Sequence, residues 1–500
     1  MQIVFDIAAR RAELTPDKPA FVDLPTGAVT TYATLHERAG RFAAWLQDRG
    51  IKAGDRVAIL SLNAVPFFEI LFACGRIGAI LVPLNWRQPA PELGPILQSC
   101  GARLLIHDAE NAALATALQD ACGTALLSYA DYEDAVAATA PRRFETAWPA
   151  GRIWYMLYTS GTTGQPKAVI QTPGMAYANA INIGQATDLV SIDTTLNFLP
   201  LFHTAGINLY TLPVLMHGGC VRVLRKFEVD PVMAEIRAGR CTAFFGVPAI
   251  YQAISLHGDF TTTDFSRVRS WGCGGAPLPA TLIRLFAGRG VKVCNGMGMT
   301  ETGPTVFLMD AAHAEAKIGS VGKPQILAEV RVVDDDGSVL EDEDAGELQI
   351  RGPGITPGYW NNEAATKAAF TPDGWLKSGD VARRDADGYY YIVDRIKDMY
   401  ISGGENVYPA EVEIVIYKFP GVLECAVLGV PDEKWGEVGR ACVLPRPGET
   451  VDAEALRAFC RENLAAYKVP RFIDIVEDFP RTAAGKIQKH LLRQHAGKSA

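Results

Sequence analysis

Ile153-Trp154-Tyr155-Met156-Leu157-Tyr158-Thr159-Ser160-Gly161-Thr162-Thr163-Gly164-Gln165-Pro166-Lys167 passes from an apolar run into a loop of hydroxyls and glycines. The first five residues read as a buried strand. In the loop, Gly161 and Gly164 let backbone approach a ligand closely. Thr159, Ser160, Thr162, Thr163 and the amides supply hydrogen-bond donors, and Lys167 supplies positive charge. That inventory suits a polyphosphate. The spacing differs from the common nucleotide-triphosphatase loop, in which Lys and Ser/Thr directly follow the second glycine. Here Gly161, Gly164 and Lys167 stand three apart with Pro166 before the lysine.

The 500 residues, 48% of them apolar, can build more than one core. A formal charge of −8 argues against a nucleic-acid partner or a general anionic-membrane surface, so any phosphate grip must be local. The ten cysteines form no C-x-x-C pair and lie in apolar stretches, which suggests a reducing compartment and no zinc site. The start lacks a secretory pattern and no apolar run reaches membrane-spanning length. The expectation is a cytoplasmic protein with no stable membrane insertion.

Along the first two thirds, strand-like and helix-like segments alternate: strands at 55–60 and 103–106, helices at 3–14, 35–49, 65–79 and 110–121, and a hairpin about Pro25-Thr26-Gly27. Residues 132–150 read as a connector, and Thr172-Pro173 as the cap and first turn of a helix to about 186. From about 326 the texture becomes alternating strands with a turn at Asp334-Asp335-Asp336-Gly337. Beyond Lys397 a small α+β unit follows. The predicted domains are 1–396 and 397–500.

Six further segments follow the loop in order: Leu199-Pro200-Leu201-Phe202-His203-Thr204-Ala205-Gly206, Gly274-Gly275-Ala276-Pro277-Leu278, Gly298-Met299-Thr300-Glu301-Thr302-Gly303, Gly374 to Asp380, Ser402-Gly403-Gly404-Glu405-Asn406, and Pro480 to Lys486. Together they resemble the acyl-adenylate-forming family of acyl-CoA synthetases, peptide-synthetase adenylation domains and luciferases. The resemblance implies an α/β fold: a large N-terminal domain of two βαβ-type subdomains plus a small distorted β-barrel, and a small mobile α+β C-terminal domain. It also implies two half-reactions, in which a carboxylate attacks ATP to give an acyl-adenylate and the thiol of coenzyme A then displaces AMP. Such an enzyme chiefly holds anions together and neutralises their charge.

By the same resemblance, Thr159 to Lys167 hold the β- and γ-phosphates, Thr300 reaches the α-phosphate, and Glu301 binds Mg²⁺. Asp380 takes the ribose hydroxyls with Arg395 beside it, and Gly274, Ala276 and Pro277 border adenine. His203 stands between the acyl pocket and the coenzyme A tunnel. Lys486 reaches the carboxylate and α-phosphate during adenylation, Lys397 is the hinge, and Gly403, Gly404 and Trp435 meet coenzyme A. The acyl pocket draws on Ala205, Asn208, Phe245, Trp271, Met297 and Pro304, among others. The chain departs from the family at Met297, where an aromatic residue is usual, and at Ala168, where glycine is common.

An aromatic acid of the hydroxycinnamate or benzoate kind is the expected small-molecule substrate. A medium-chain fatty acid and a carrier-protein thiol as acceptor are the alternatives, and a homodimer is left open.

Overall fold

The computed structural model describes residues 2–159, 166–341, 343–396, 398–402, 405–432, 435–481 and 487–496. Ser160 to Gly164, Lys397, Gly403, Gly404 and Lys486 lie outside them. Among the described residues the chain forms a large α/β N-terminal domain and a small C-terminal domain, as expected.

Two large sheets carry the N-terminal domain. The six-stranded sheet runs in the order Lys167–Gln171, Tyr155–Thr159, Ile80–Pro83, Arg56–Leu60, Ala102–His107, Ala125–Ser128, parallel except for its first pair. The second has nine strands, with Thr194–Asn197, Ala243–Gly246, Ser270–Cys273 and Val293–Met299 as adjacent parallel members. Helices Tyr32–Asp48 and Val65–Ile77 lie between the sheets, and one core spans Val57 and Leu81 of the first sheet and Phe21 and Val221 of the second. Val65–Ile77 is buried along nearly its whole surface, and its two charges, Glu69 and Arg76, are each paired, with Arg38 and Asp6.

A four-stranded antiparallel sheet, Glu329–Val333, Gly346–Arg351, Leu376–Arg384 and Tyr390–Arg395, corresponds to the small barrel. A bridge between Gly322 and Tyr390 joins it to the edge of the nine-stranded sheet. Sheet membership changes between Arg395 and Tyr400. The C-terminal sheet contains Tyr400–Ser402, Glu405–Val407, Val422–Asp432, Gly436–Pro445 and Phe472–Ile475, with helices Pro409–Ile416, Ala453–Asn463 and Lys489–Ala496. All ten cysteines are free thiols. Among the described residues no helix is long and apolar enough to cross a membrane.

Two local expectations change. Residues 3–14 are not one helix: Ile3–Phe5 is a strand paired with Ala147–Pro149, and the helix starts at Ile7. The cause is Asp6, whose carboxylate accepts from the Ala9 amide as an N-cap and leaves the preceding residues extended. Residues 132–150 likewise contain the end of helix Tyr129–Ala138 and that partner strand. The cap at Thr172 is as expected, with its hydroxyl accepting from the Met175 amide at 3.2 Å.

Asp6 also pairs with Arg76 at 2.8 Å, both side chains almost wholly buried, and Arg76 donates to the His36 carbonyl at 2.7 Å. Removing one member leaves a buried charge without its counter-ion. Asp6→Ala should therefore cost about 3–5 kcal/mol of stability, read as a lowered urea midpoint for the N-terminal core.

Candidate active site

Strands Tyr155–Thr159 and Lys167–Gln171 pair antiparallel with Thr159 opposite Lys167. A third segment runs beside them. The Ile170 amide donates to the Gly358 carbonyl at 3.1 Å, the Trp360 amide donates to the Ala168 carbonyl at 2.9 Å, and Val169 bridges Tyr359. Ala168 thus sits in ordinary strand backbone, and its methyl joins the core beside Met156. Its backbone is not left-handed, so a methyl group in place of glycine carries no strain at this position.

Thr300–Thr302 forms a single 3₁₀ turn after strand Val293–Met299. It is pinned to the hairpin from three directions. Gln171 Nε2 donates to the Thr300 carbonyl at 2.8 Å, the Thr356 amide donates to the Glu301 carbonyl at 2.7 Å, and Thr356 Oγ1 donates to the Ile170 carbonyl at 2.7 Å. Strands from two different sheets thereby bring Lys167 and Glu301 to one place. Between them stands Tyr359, its hydroxyl donating to Glu301 Oε1 at 3.0 Å and its ring centroid 5.2 Å from Lys167 Nζ. The sequence reading missed Tyr359, because an isolated Gly-Tyr-Trp triplet reads as a turn next to a core aromatic.

Asp380 and Arg395 face each other across neighbouring strands, with Arg395 Nε 2.9 Å from Asp380 Oδ1. Ser378 Oγ donates to the Leu348 carbonyl and accepts from the Asp380 amide, so the carboxylate is fixed at both backbone and side chain. Gly274, Ala276 and Pro277 lie on the loop between strand Ser270–Cys273 and helix Ala280–Ala287, Gly274 buried and Pro277 exposed. Met297 is half-buried against the Val306 and Phe307 cluster and pairs with Phe307. Pro304 lies against the backbone of Gly298. Trp435 is exposed on the C-terminal unit, its amide donating to Asp432 Oδ1.

One acyl-pocket expectation needs correction. Trp271 does not face the pocket. It is buried among Phe244, Tyr251, Phe265 and Phe286, with ring centroids 5.0–6.3 Å away. The strand's two-residue alternation turns Gly272 to the other face, where an added methyl would stand 2.7 Å from Phe245 Cδ2. Asn208 commits its amide nitrogen to the Tyr155 hydroxyl at 2.5 Å and Thr204 Oγ1 at 3.0 Å, while its Oδ1 is buried with no partner among the described residues. It steadies the π-turn Ala205–Leu209 rather than presenting a donor to a ligand. Ala205 and Phe245 do share one small cavity, together with Tyr210, which sequence reasoning left out. Tyr210 is tied to Ser270 Oγ at 2.8 Å.

The His203 ring packs on Phe202 at 4.7 Å, and its Nε2 is buried with no hydrogen-bond partner among the described residues. Burial, reinforced by the Arg87 charge, pushes its pKa down to about 4. At the junction of the two domains, Asp394 Oδ2 accepts from the Ala410 amide at 2.9 Å, and Lys489 Nζ lies 2.7 Å from Glu413 Oε1. Burial raises Asp394 to about 6, against the pull of the Lys489 charge. Neither residue stood out in the sequence, since their partners are distant along the chain.

The description "AMP-binding enzyme" fits residues 8–360, and "AMP-binding enzyme C-terminal domain" fits residues 411–486. The chain belongs to the AMP-binding enzyme family. Among its acyl-CoA synthetase-like members, a feruloyl-CoA synthase of a Streptomyces species is 42% identical over 490 residues, 98% of each chain. A long-chain-fatty-acid–CoA ligase of Mycobacterium tuberculosis is 36% identical, covering 97% of each. The o-succinylbenzoate CoA synthetase of Bacillus subtilis, solved with its acyl-adenylate intermediate, superposes with a TM-score of 0.90 at 30% identity over 99% of both chains. The protein is an ATP-dependent, AMP-forming acid–thiol ligase.

The His203 result has a direct pH consequence. A folded-state pKa below the ordinary imidazole value means that only the unfolded chain takes up this proton between about 6.5 and about 4. The neutral form's contribution to stability is complete above the upper value and is lost as pH falls toward the lower one. Wild type and His203→Ala should therefore show adenylation profiles of the same shape from pH 6 to 9, differing only in height. An inflection near pH 6.5 confined to the wild type would contradict a neutral imidazole.

Proposed function

We propose that the ligase acts on an aromatic carboxylic acid of the hydroxycinnamate or benzoate kind. The supporting observation is the shape beside Phe245. Its ring lies along Gly272 of the adjacent strand and Gly274 of the loop that follows it, where added methyls would stand 2.7 Å from Cδ2 and 3.1 Å from Cζ. Seated on bare backbone, the Phe245 ring fills that space itself and stands as an aromatic wall of the small cavity it lines with Ala205 and Tyr210, and a planar ring packs on such a wall by offset or edge contact. The full-length similarity to the feruloyl-CoA synthase agrees with this reading.

The site residues are assigned as follows. Lys167, with Thr159 and the loop 160–165, takes the β- and γ-phosphates of ATP. Thr300 meets the α-phosphate. The Glu301 carboxylate, half-exposed with one oxygen held by Tyr359, suits a hard divalent cation and would hold Mg²⁺, which when bound supplies charge neutralisation on the phosphates. Asp380 accepts from the ribose hydroxyls, and Arg395 holds that carboxylate in place. Gly274, Ala276 and Pro277 border adenine. Ala205, Phe245, Met297 and Pro304 bound the acyl group, and neutral His203 separates it from the thiol entry.

The substrate carboxylate oxygen attacks the α-phosphorus of ATP and the bond to pyrophosphate breaks. The coenzyme A sulfur then attacks the acyl carbon and AMP leaves. We divide the chain into 1–396 and 397–500, with Lys397 as hinge. Lys486 serves the first step, and Gly403, Gly404 and Trp435 serve the second.

Coenzyme A-dependent AMP formation across cinnamic, benzoic, straight-chain, amino and dicarboxylic acids tests the substrate. A ferulate-like or benzoate-like acid should exceed octanoate by about tenfold or more in kcat/KM, as one poorly fitted apolar group typically costs 10–200-fold. Preference for the straight chain would transfer the assignment to fatty acids. Pyrophosphate without thioester would point to a carrier-protein acceptor. Lys486→Ala should slow adenylation by roughly 100-fold or more and leave thioester formation from supplied acyl-adenylate nearly intact. Equal losses in the two steps, measured by single turnover, would remove Lys486 from the first.

A further inference from the structure

Lys167 and Glu301 approach one aromatic ring from different directions. The carboxylate meets the Tyr359 hydroxyl at 3.0 Å, and the ammonium stands 5.2 Å from the ring centroid, over its face. Among the described residues neither charge forms an ion pair, and in particular the two are not paired with each other. An opposite pair brought this close by two sheets would ordinarily collapse into a salt bridge, and each charge would then be spent on the other rather than on a ligand. The phenol prevents this in two ways. Its O–H donates to the anion, and its negative ring face attracts the cation at a different point.

The position of the ring does not depend on either charge. Val169 bridges Tyr359, the Trp360 amide donates to the Ala168 carbonyl at 2.9 Å, and the Tyr359 amide donates to Thr366 Oγ1 at 3.0 Å. Thr366 belongs to the helix Glu363–Ala369, which is capped by Asn362 accepting from the Ala365 amide at 2.9 Å. Backbone pairing on one side and a capped helix on the other thus present the phenol rigidly.

We propose that Tyr359 is a positioning residue for a triphosphate chelated to a divalent cation: its hydroxyl fixes one oxygen of Glu301 so that the other is free for the metal, while its ring face holds Lys167 alongside without neutralising it. The proposal rests on the roles assigned above to Glu301 and Lys167. It adds a residue that acts through both, and it makes the metal-dependent and metal-independent parts of nucleotide binding separable.

The experiment measures the dissociation constant of ATP by titration calorimetry, once with Mg²⁺ and once with excess chelator, for wild type, Tyr359→Phe, Tyr359→Leu and Glu301→Gln. The ratio of the two constants isolates the metal contribution. Tyr359→Phe keeps the ring and loses the hydroxyl, so it should lower the ratio about tenfold, the usual loss when a partner of a metal-ligating group is removed, with metal-free binding changed less than about twofold. Tyr359→Leu should lower the ratio similarly and also weaken metal-free binding, because Lys167 loses its support. A residue that served packing alone would weaken both constants together and leave the ratio alone.

A lowered ratio in Glu301→Gln with an unchanged ratio in Tyr359→Phe would overturn the role of Tyr359 and leave that of Glu301 standing. An unchanged ratio in Glu301→Gln would overturn both. Melting temperatures of Tyr359→Phe and wild type should coincide, since the backbone bonds of the segment do not involve the hydroxyl.

Discussion

The site depends on a stitch between two sheets. Gln171, at the end of a strand in the six-stranded sheet, donates to the Thr300 carbonyl in the turn that leaves the nine-stranded sheet, and Thr356 holds both the Glu301 amide plane and the Ile170 carbonyl. These bonds are short and largely buried, where a polar group left unpaired would be costly. The two sheets therefore cannot slide past one another at this point. Lys167 and Glu301, 134 positions apart in the chain, consequently share one tyrosine.

The stitch carries this precision because the rest of the N-terminal domain is rigid around it. Helices Tyr32–Asp48 and Val65–Ile77 fill the space between the sheets, and the buried Asp6–Arg76 pair locks the first helix onto that layer. On the far side of the nine-stranded sheet, Trp271 anchors an aromatic cluster. The opposite face of the same strand is stripped to glycine at 272, which leaves room for Phe245. Packing on one face and vacancy of side chain on the other are two results of one alternation.

The C-terminal unit is attached differently. Across the change of sheet near position 397, Asp394 accepts from the Ala410 amide, while Lys489 pairs with Glu413 and stands close enough to Asp394 to lower its pKa against burial. These contacts are polar, and polar contacts between units of a chain can be remade in another arrangement at small cost. They join strand Tyr390–Arg395 to the helices Pro409–Ile416 and Lys489–Ala496.

Sequence alone determined the α/β alternation, the change of texture near 326, the C-terminal α+β unit and the ordered motifs that name the family. Each is a local signal: periodicity, caps such as Thr172, turn residues, or charged residues flanked by glycine. The tertiary structure decided the rest. It turned Trp271 into the core, spent Asn208 on Tyr155, placed Arg87 against His203, and put Tyr359 between Lys167 and Glu301. The physical reason is that the face a strand residue presents, and the partner its polar atoms find, depend on which distant strand lies beside it. That choice is made by packing two sheets about shared helices, and no local pattern of residues records it.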